Sequence, residues 1–367
     1  NYSFSVFASP AAAVAQAVEE GIQILGINDH YTTAGFDEFG AACRAHAVCP
    51  LYSMEAVALD RPAQQGGLRL NDPNNPGRCY LTAKSVTRAL PAGGRGAAAL
   101  GRMRAALTER NRQLVANLNR HLVSIGARVQ ISMEQVEALT PAGNTTERHV
   151  IQTLAESVLE AEADAGAVFG ALCGSAPPDL TTAAALHGFL RGKLVKAGCP
   201  DYAPELPEAF LSIEDMAAMY LEMGAIPTYP VLGNPVCELE EDIPAMIARL
   251  EALKIFALEV IPNRNTPERL TAIVEAAGAA GIPIFTGTEH NTKTPGPLTD
   301  KYSPHEPFRT AFFEGALVAL GHAAEIKRGN LGYVTPEGGL RFNDREQGLA
   351  YFMQRGQEVF AACVTRH

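Results

Sequence analysis

Short apolar runs alternate with helix-like segments in two parts of the chain, before residue 60 and after residue 224. In the first part, Ile24–Ile27 and Leu51–Leu59 are predicted strands on either side of the helix-like segment DEFGAACRAHA. In the second part, strands are predicted at Ala225–Leu232, Ile255–Ile261 and Ile282–Phe285, separated by DIPAMIARLEAL and TPERLTAIVEAAGAAG. Strands joined by such helices form parallel β/α units, and ligands bind at the carboxyl ends of parallel strands. The pattern therefore predicts an α/β fold with a site at its strand ends.

Helices interrupt this alternation in the middle of the chain. A long helix is predicted over 98–124, because apolar residues recur along it at helical spacing. Another helix is predicted to begin at Asn144 as its N-cap, with a capping-box pattern after it. We therefore expect a discontinuous barrel core, residues 1–97 and 224–367, and a mostly helical insertion lobe over 98–223.

The charge and the cysteines limit the partners and the compartment. The formal net charge is -10 and the sequence pI is about 5.5, which disfavours a long nucleic-acid track but leaves room for a small anion at a local cationic pocket. The seven cysteines form no C-x-x-C pair, so we expect reduced thiols and a cytoplasmic protein. No membrane partner is expected, because no apolar run reaches the length of a membrane helix and no signal peptide is visible. The oligomeric state stays open.

Polar side chains lie in or directly after the predicted strands. They are Asp29, His30, Glu55, Tyr80, Tyr229, Glu259, Glu289 and His290. In a closed parallel barrel such positions converge on one mouth, and imidazole with carboxylate suits Zn, Mn or Fe. Such an ion would lower the pKa of a bound water and polarise a substrate oxygen. The alternative is structural: Asp29–His30 as a strand-end turn, and Glu55 and Glu259 as strand carboxylates that need a cation, a donor or exposure.

Cationic residues near helix starts are candidates for binding an anionic substrate. Arg148 and His149 open a predicted helix, where backbone N–H groups and the helix dipole favour anions. Arg264 lies between a predicted strand and a helix and is a similar candidate, while Lys84 is a weaker one. The alternative for Arg148 and His149 is an exposed first-turn pair.

Several stretches, in this order, resemble the polymerase and histidinol phosphatase (PHP) superfamily. YSFSVFASPAAAVAQAVEEGIQILGINDH is similar to the family's opening, a helix leading to a strand that ends in T-D-H. YSMEAVAL resembles the strand with the family's metal-bridging Glu, and TTERHVIQTLAE a helix start of the branch that acts on nucleotides. GIPIFTGTEHN resembles the final G-S-D-x-H strand end. The resemblance covers about residues 1–90 and 140–295, and it implies a distorted (β/α)7 barrel with two or three metals and phosphoester hydrolysis.

In this resemblance His30 and Glu55 match ligand positions, and other positions depart from the family's pattern. The family's H-x-H motif falls just upstream of Asn1, cut off or absent, and its early Asp near Ser5 is missing. Two family histidines correspond to Tyr80 and Tyr229. In GTEHN the family's Asp becomes Glu289 and its last His becomes Asn291, with His290 one place early. The altered set implies one or two divalent ions (Mn, Zn or Fe) rather than three.

The function predicted from these features is that of a metal-dependent hydrolase, a phosphoesterase acting on a small phosphorylated metabolite or nucleotide through metal-activated water. Its metal ligands would be His30, Glu55, Glu289, Asp29 and Glu259. Its catalytic side chains would be His290, Tyr229 and Tyr80, and Arg148, His149, Arg264 and Lys84 would hold the substrate. Two alternatives stay open: a barrel acting on a non-phosphorylated carboxylate or sugar-like substrate, and a catalytically dead binding module.

Overall fold

The computed structural model describes residues 2–233 and 235–365. Its strands are β1 (Ile24–His30), β2 (Cys49–Leu59), β3 (Arg78–Lys84), β4 (Ile226–Val231), β5 (Leu258–Val260) and β6 (Ile284–Thr286). The helices of the first half are α1 (Pro10–Glu19), α2 (Phe36–Ala45), α3 (Arg61–Gln65), α4 (Arg95–Ser124), α5 (Met133–Ala138), α6 (Glu147–Ala161) and α7 (Ala165–Cys173). Those of the second half are α8 (Ala183–Leu194), α9 (Ile213–Glu222), α10 (Ile243–Ala252), α11 (Pro267–Ala280), α12 (Phe308–Lys327) and α13 (Arg345–Val364).

The six strands form one sheet in sequence order, β1 to β6. The pairs β1–β2, β4–β5 and β5–β6 are parallel, whereas β3 is antiparallel to both β2 and β4. The sheet curls into half of a barrel, so the predicted α/β class is confirmed. The predicted seven-stranded closed barrel is not confirmed, since the described residues contain six strands.

The chain divides into two compact units. Unit 1 contains the described residues of Asn1–Ser9, Leu100–Ala209 and His290–Gly296. Unit 2 contains the described residues of Pro10–Ala99, Phe210–Glu289 and Pro297–His367, and it holds the whole sheet. The domain boundaries expected from the sequence, after residues 97 and 223, stay a prediction.

The core of unit 1 is made by apolar side chains of its helices. Leu114, Leu118 and Leu122 of α4 are fully buried and pack with Leu154 and Val158 of α6. Their spacing of four residues places them along one face of each helix, and helical spacing of this kind is what predicts the long helix. Burying that face stabilises the helical arrangement.

Local hydrogen bonds place α6 slightly later than expected. The N-cap is Thr146, whose side chain accepts from the backbone N–H of Arg148, and not Asn144. His149 completes the capping box, because its Nδ1 accepts from the backbone N–H of Thr146 at 3.0 Å. Because the His149 side chain satisfies the backbone N–H of Thr146, the helix begins after Thr146 and not after Asn144.

In unit 2, β1 runs further than its apolar residues indicate. The predicted strand ends at Ile27, but β1 continues to His30 because its backbone pairs with β2 as far as Glu55. Asn28, Asp29 and His30 are therefore strand residues with alternating directions and do not form a turn.

No helix in the described part of the chain is long and apolar enough to cross a membrane.

Candidate active site

Strand pairing brings polar residues of four strands onto one face of the sheet. His30 pairs with Glu55, Glu55 with Thr82, and Thr82 with Thr228. Partners in adjacent strands point to the same face, whereas successive residues along a strand alternate. Four neighbouring strands therefore supply one polar patch inside unit 2.

The first contact in this patch joins His30 and Glu55. The Nδ1 atom of His30 lies 3.3 Å from Oε1 of Glu55, and the two side chains are 30% and 17% exposed. The side chain of Asn28, two residues before His30 on the same face, also hydrogen-bonds to Glu55. An imidazole and a carboxylic group at this distance can share a proton.

The second contact is a buried ion pair around Glu259 of β5. Lys84 Nζ donates to Oε1 of Glu259 at 2.6 Å, and Thr82 Oγ1 donates to its other oxygen at 3.2 Å. The side chains of Lys84 and Glu259 are only 13% and 6% exposed. Both oxygens of this carboxylate therefore have donors, which accounts for a charged group in an apolar strand.

The third contact joins Glu289 and Arg264. Arg264 Nε lies 3.4 Å from Oε2 of Glu289, and each side chain is about one third exposed. Glu289 belongs to the segment GTEHN, which begins directly after β6 ends at Thr286. A Cβ at Gly287 would lie 2.6 Å from Oε1 of Glu259, so this glycine lets the chain pass close to the buried ion pair.

The three carboxylates influence one another. Burial raises the pKa of Glu55 to about 8, and repulsion from the charges of Glu259 and Glu289 adds to this, while Lys84 and Asn28 act in the opposite direction. Glu55 therefore keeps its proton at neutral pH, in contrast to an ordinary glutamate. Such a shifted pKa, beside a histidine and near a lysine, is a feature of functional sites.

The donor set of this patch can be compared with what a divalent ion needs. Structural and catalytic sites usually offer three or more protein ligands. Among residues 2–233 and 235–365, no group of three or more His, Cys, Asp and Glu side chains is arranged to hold a metal ion. Glu259 is bonded to Lys84, Glu289 to Arg264, and Asp29 pairs in register with the core residue Met54 on the opposite face from His30.

The two tyrosines of the predicted site lie on different faces. Tyr80 shares the face of Thr82 and Lys84 by alternation along β3. Tyr229 is fully buried, and its hydroxyl donates to Oε1 of Glu240 at 3.4 Å. It alternates with Thr228, so the structure does not bring Tyr229 to the polar patch.

Three further candidates belong to unit 1. His149 is buried, and burial together with the charge of Lys293 lowers its pKa to about 4. The guanidinium of Arg148 lies 5.8 Å from the centre of the Phe4 ring, and the His149 ring meets the same ring edge-on at 5.2 Å. The backbone carbonyl of His290 accepts from Val6. These contacts brace the N-terminal segment, and a role for the three residues in substrate binding or catalysis stays a prediction.

The sequence did not single out Thr82 and Asn28, although both bond to the predicted carboxylates. A signal was present, since each lies two residues from a candidate on the same strand face: Thr82 from Lys84 and Asn28 from His30. Lys84, a weak candidate from sequence, lies at the centre of the patch.

Comparison with known proteins gives structural neighbours only. No protein-family model matches the chain, and no curated protein matches it. Among solved structures, it is similar to a candidate metal-dependent phosphoesterase from Bifidobacterium adolescentis, with 17% identity and a TM-score of 0.57 over 84% of this chain and 93% of that one. It is also similar to an amidohydrolase from Chromobacterium violaceum determined with bound sulfate and no metal, with 17% identity and a TM-score of 0.54 over 81% and 88%. This chain shares their fold.

Proposed function

We propose that the chain is a hydrolase of small anionic substrates, with phosphate esters of a metabolite or nucleotide as the leading class. The observation that carries the proposal is the polar patch of His30, Glu55, Lys84 and Glu259 on one face of the sheet. The fold shared with a candidate phosphoesterase and an amidohydrolase supports it, and so does the order of the motifs that resemble the PHP superfamily.

The cations of the site favour a substrate with negative charge. Arg264 is 36% exposed and its partner Glu289 is 35% exposed, so its guanidinium is accessible to a ligand. A planar guanidinium binds phosphate or carboxylate with two parallel hydrogen bonds. Arg264 would thus hold the anionic group, while Lys84, more deeply buried, adds positive charge to the polar patch.

The pair of His30 and Glu55 can carry out the proton transfers of hydrolysis. Hydrolysis needs a base that takes a proton from the attacking water and an acid that gives one to the leaving oxygen. At neutral pH Glu55 holds a proton at its carboxyl group, so it can act as the acid. In the tautomer whose Nδ1–H donates to that carboxyl group, Nε2 of His30 carries no proton and can act as the base.

A divalent ion, which the PHP resemblance implies, does not fit the side chains as they are arranged. His30 and Glu55 contact each other, and the carboxylates of Glu259 and Glu289 are each bonded to a cation. We therefore derive no step through a metal ion, and the ligand roles of the predicted residues stay predictions.

The test is a substrate screen on the full chain. The protein is assayed as purified and after loading with Mn, Zn or Fe, with release of inorganic phosphate from nucleoside monophosphates and sugar phosphates as the readout. We expect turnover of at least one ester, reduced about 100-fold or more in Glu55→Gln. Glu19→Gln, an exposed glutamate of α1, is the matched control and should retain full turnover. Absence of phosphate release from every ester under every condition would overturn the proposal.

A second candidate is hydrolysis of a substrate whose anionic group is a carboxylate, such as an N-acyl amino acid. The accessible guanidinium of Arg264 supports it, because a guanidinium binds a carboxylate as well as a phosphate with two parallel hydrogen bonds. One structural neighbour is described as an amidohydrolase. Release of the amine from such amides, with no phosphate release from esters, would select this candidate. Binding of these compounds without turnover would indicate a module without catalysis.

A further inference from the structure

We propose that Lys84 is the resident cation of this site: its ammonium group holds the position at Glu259 that a divalent ion would need, and its removal creates a divalent-cation site. This inference rests on the proposed function and deepens it, since it states which cation is bonded to Glu259 in the site. It predicts a gain of metal binding in a variant, which no ordinary loss of a surface lysine would produce.

Both carboxylate oxygens of Glu259 already have hydrogen-bond donors. Lys84 Nζ lies 2.6 Å from Oε1, within the range of a charge-assisted hydrogen bond, and Thr82 donates to Oε2. A metal ion would have to displace the ammonium group from Oε1, because a carboxylate oxygen cannot bind both at full strength. With 13% and 6% exposure, the pair is also shielded from the solvent that would otherwise weaken it.

The backbone of Lys84 belongs to the sheet. Lys84 is the last residue of β3 and pairs in register with Ile226 of β4, so its backbone is held by the sheet. The sheet therefore fixes the backbone of Lys84, and burial together with the bond to Glu259 holds its ammonium group. Thr82, two residues earlier on the same face, fixes the opposite side of Glu259.

The positive charge of Lys84 also acts on the neighbouring glutamates. Glu55, Glu259 and Glu289 interact electrostatically, and the positive charge of Lys84 acts on Glu55 as well as on Glu259. A divalent ion brought beside Lys84 would be repelled by it. Without Lys84, Oε1 of Glu259 would lose the cation bonded to it, and carboxylate oxygen is a donor that Mn²⁺ and Zn²⁺ accept.

The experiment measures metal binding and does not depend on turnover. Metal-stripped protein with the whole given sequence is titrated with Mn²⁺ and with Zn²⁺ at pH 7.5 by calorimetry, and thermal unfolding is followed with and without each ion. We expect no stoichiometric binding to the wild type at micromolar ion concentrations. Lys84→Met should bind one equivalent of Mn²⁺ or Zn²⁺ about tenfold more tightly or better, and the ion should raise its Tm.

Two variants make the result specific. Lys327→Met removes an exposed lysine at the end of α12 and should behave as the wild type. Lys84→Met combined with Glu259→Gln should lose the gained site, because one of its ligands is neutralised. Lys84→Met with unchanged metal affinity would overturn the proposal.

The wild type alone provides a test that does not need a folded variant. Binding of one divalent ion at micromolar affinity, by calorimetry or by metal content after purification, would overturn the proposal whatever Lys84→Met does. If the substrate screen fails while the gained site is found, the proposed function falls and this inference stands.

Discussion

Glu147 in unit 1 and Glu55 in unit 2 are both largely buried glutamates, yet their surroundings act on them in opposite directions. Burial by itself raises the pKa of both. Glu147 lies within 3.0 Å of three cations, Arg110, Arg191 and Lys196, and these lower its pKa to about 2. Glu55 is near two other carboxylates, and its pKa rises to about 8.

The difference distinguishes a carboxylate that stabilises the fold, Glu147, from one in a candidate functional site, Glu55. Glu147 is ionised at every physiological pH and holds α4, α6 and α8 together through Arg110 and Arg191. Glu55 is protonated in the folded protein at neutral pH, and its ionisation would lower the stability of the fold. A carboxyl group whose surroundings oppose its ionisation is typical of functional positions. Four predictions test this difference between the two glutamates.

The largest effect is expected at Glu147. Glu147→Gln leaves three cations of unit 1 without their common partner, so we expect a loss of about 3 kcal/mol in the free energy of unfolding at pH 7. Because its folded pKa is below its unfolded value, this stabilisation is present above pH about 4.5 and is lost as the pH falls towards 2. Urea unfolding at pH 7 and pH 3 checks both. Glu160→Gln, an exposed residue of α6, is the control and should change stability by less than about 0.5 kcal/mol.

The next effect is expected at Gly287, beside the buried ion pair of unit 2. The Cβ of Gly287→Ala would lie 2.6 Å from Oε1 of Glu259, so Glu259 and Lys84 would have to shift. We expect a loss of about 1–3 kcal/mol. Gly278→Ala in α11 meets nothing within 4 Å and should be neutral or stabilising. Equal stabilities of the two variants would show that the ion pair tolerates displacement.

The third effect has the opposite sign to that at Glu147. The folded pKa of Glu55 is above its unfolded value, so its contribution is present below pH about 4.5 and is lost as the pH rises through about 8. Glu55→Gln cannot ionise, and at pH 8.5 we expect it to be more stable than the wild type by about 1 kcal/mol or more. Thermal unfolding from pH 5 to pH 9 measures the difference. A variant that is less stable than the wild type at pH 8.5 would remove the contrast.

The smallest effect on stability is expected at the exposed pair of Arg264 and Glu289. Arg264→Gln should change the free energy of unfolding by less than about 1 kcal/mol, because solvent screens the pair. If Arg264 binds the anionic group, KM should rise several-fold while kcat changes less. Arg309→Gln, in the exposed pair with Glu306, is the control and should alter neither constant.

Much of the local structure could be predicted from the sequence, because it depends on neighbours along the chain. Thr266 before Pro267 and Ser212 before Asp215 are local capping patterns, and these two residues, Thr266 and Ser212, are the N-caps of α11 and α9 in the structure. The start of α6 was misplaced, since Asn144 and Thr146 both precede a capping-box pattern and only the bond to His149 decides between them.

Parts of the site could not be predicted in this way. A short apolar run does not reveal whether its strand will be parallel or antiparallel to its neighbours. The antiparallel direction of β3 nevertheless determines which residues of β2 and β4 pair with Thr82. Tyr229 was placed by its resemblance to a histidine position, whereas the alternation of β4 turns its hydroxyl to Glu240.

The sequence by itself determined that carboxylates and imidazole lie in or directly after strands of an α/β fold, because hydrophobic periodicity and caps are local properties. The tertiary structure determined which side chain each carboxylate or imidazole contacts. Lys84 and Glu259 are 175 residues apart and meet at 2.6 Å because β3 and β5 flank β4 in one sheet. A carboxylate that bonds to an ammonium group and one that binds a metal ion have the same residue type in the sequence, and only the sheet register decides which cation reaches it.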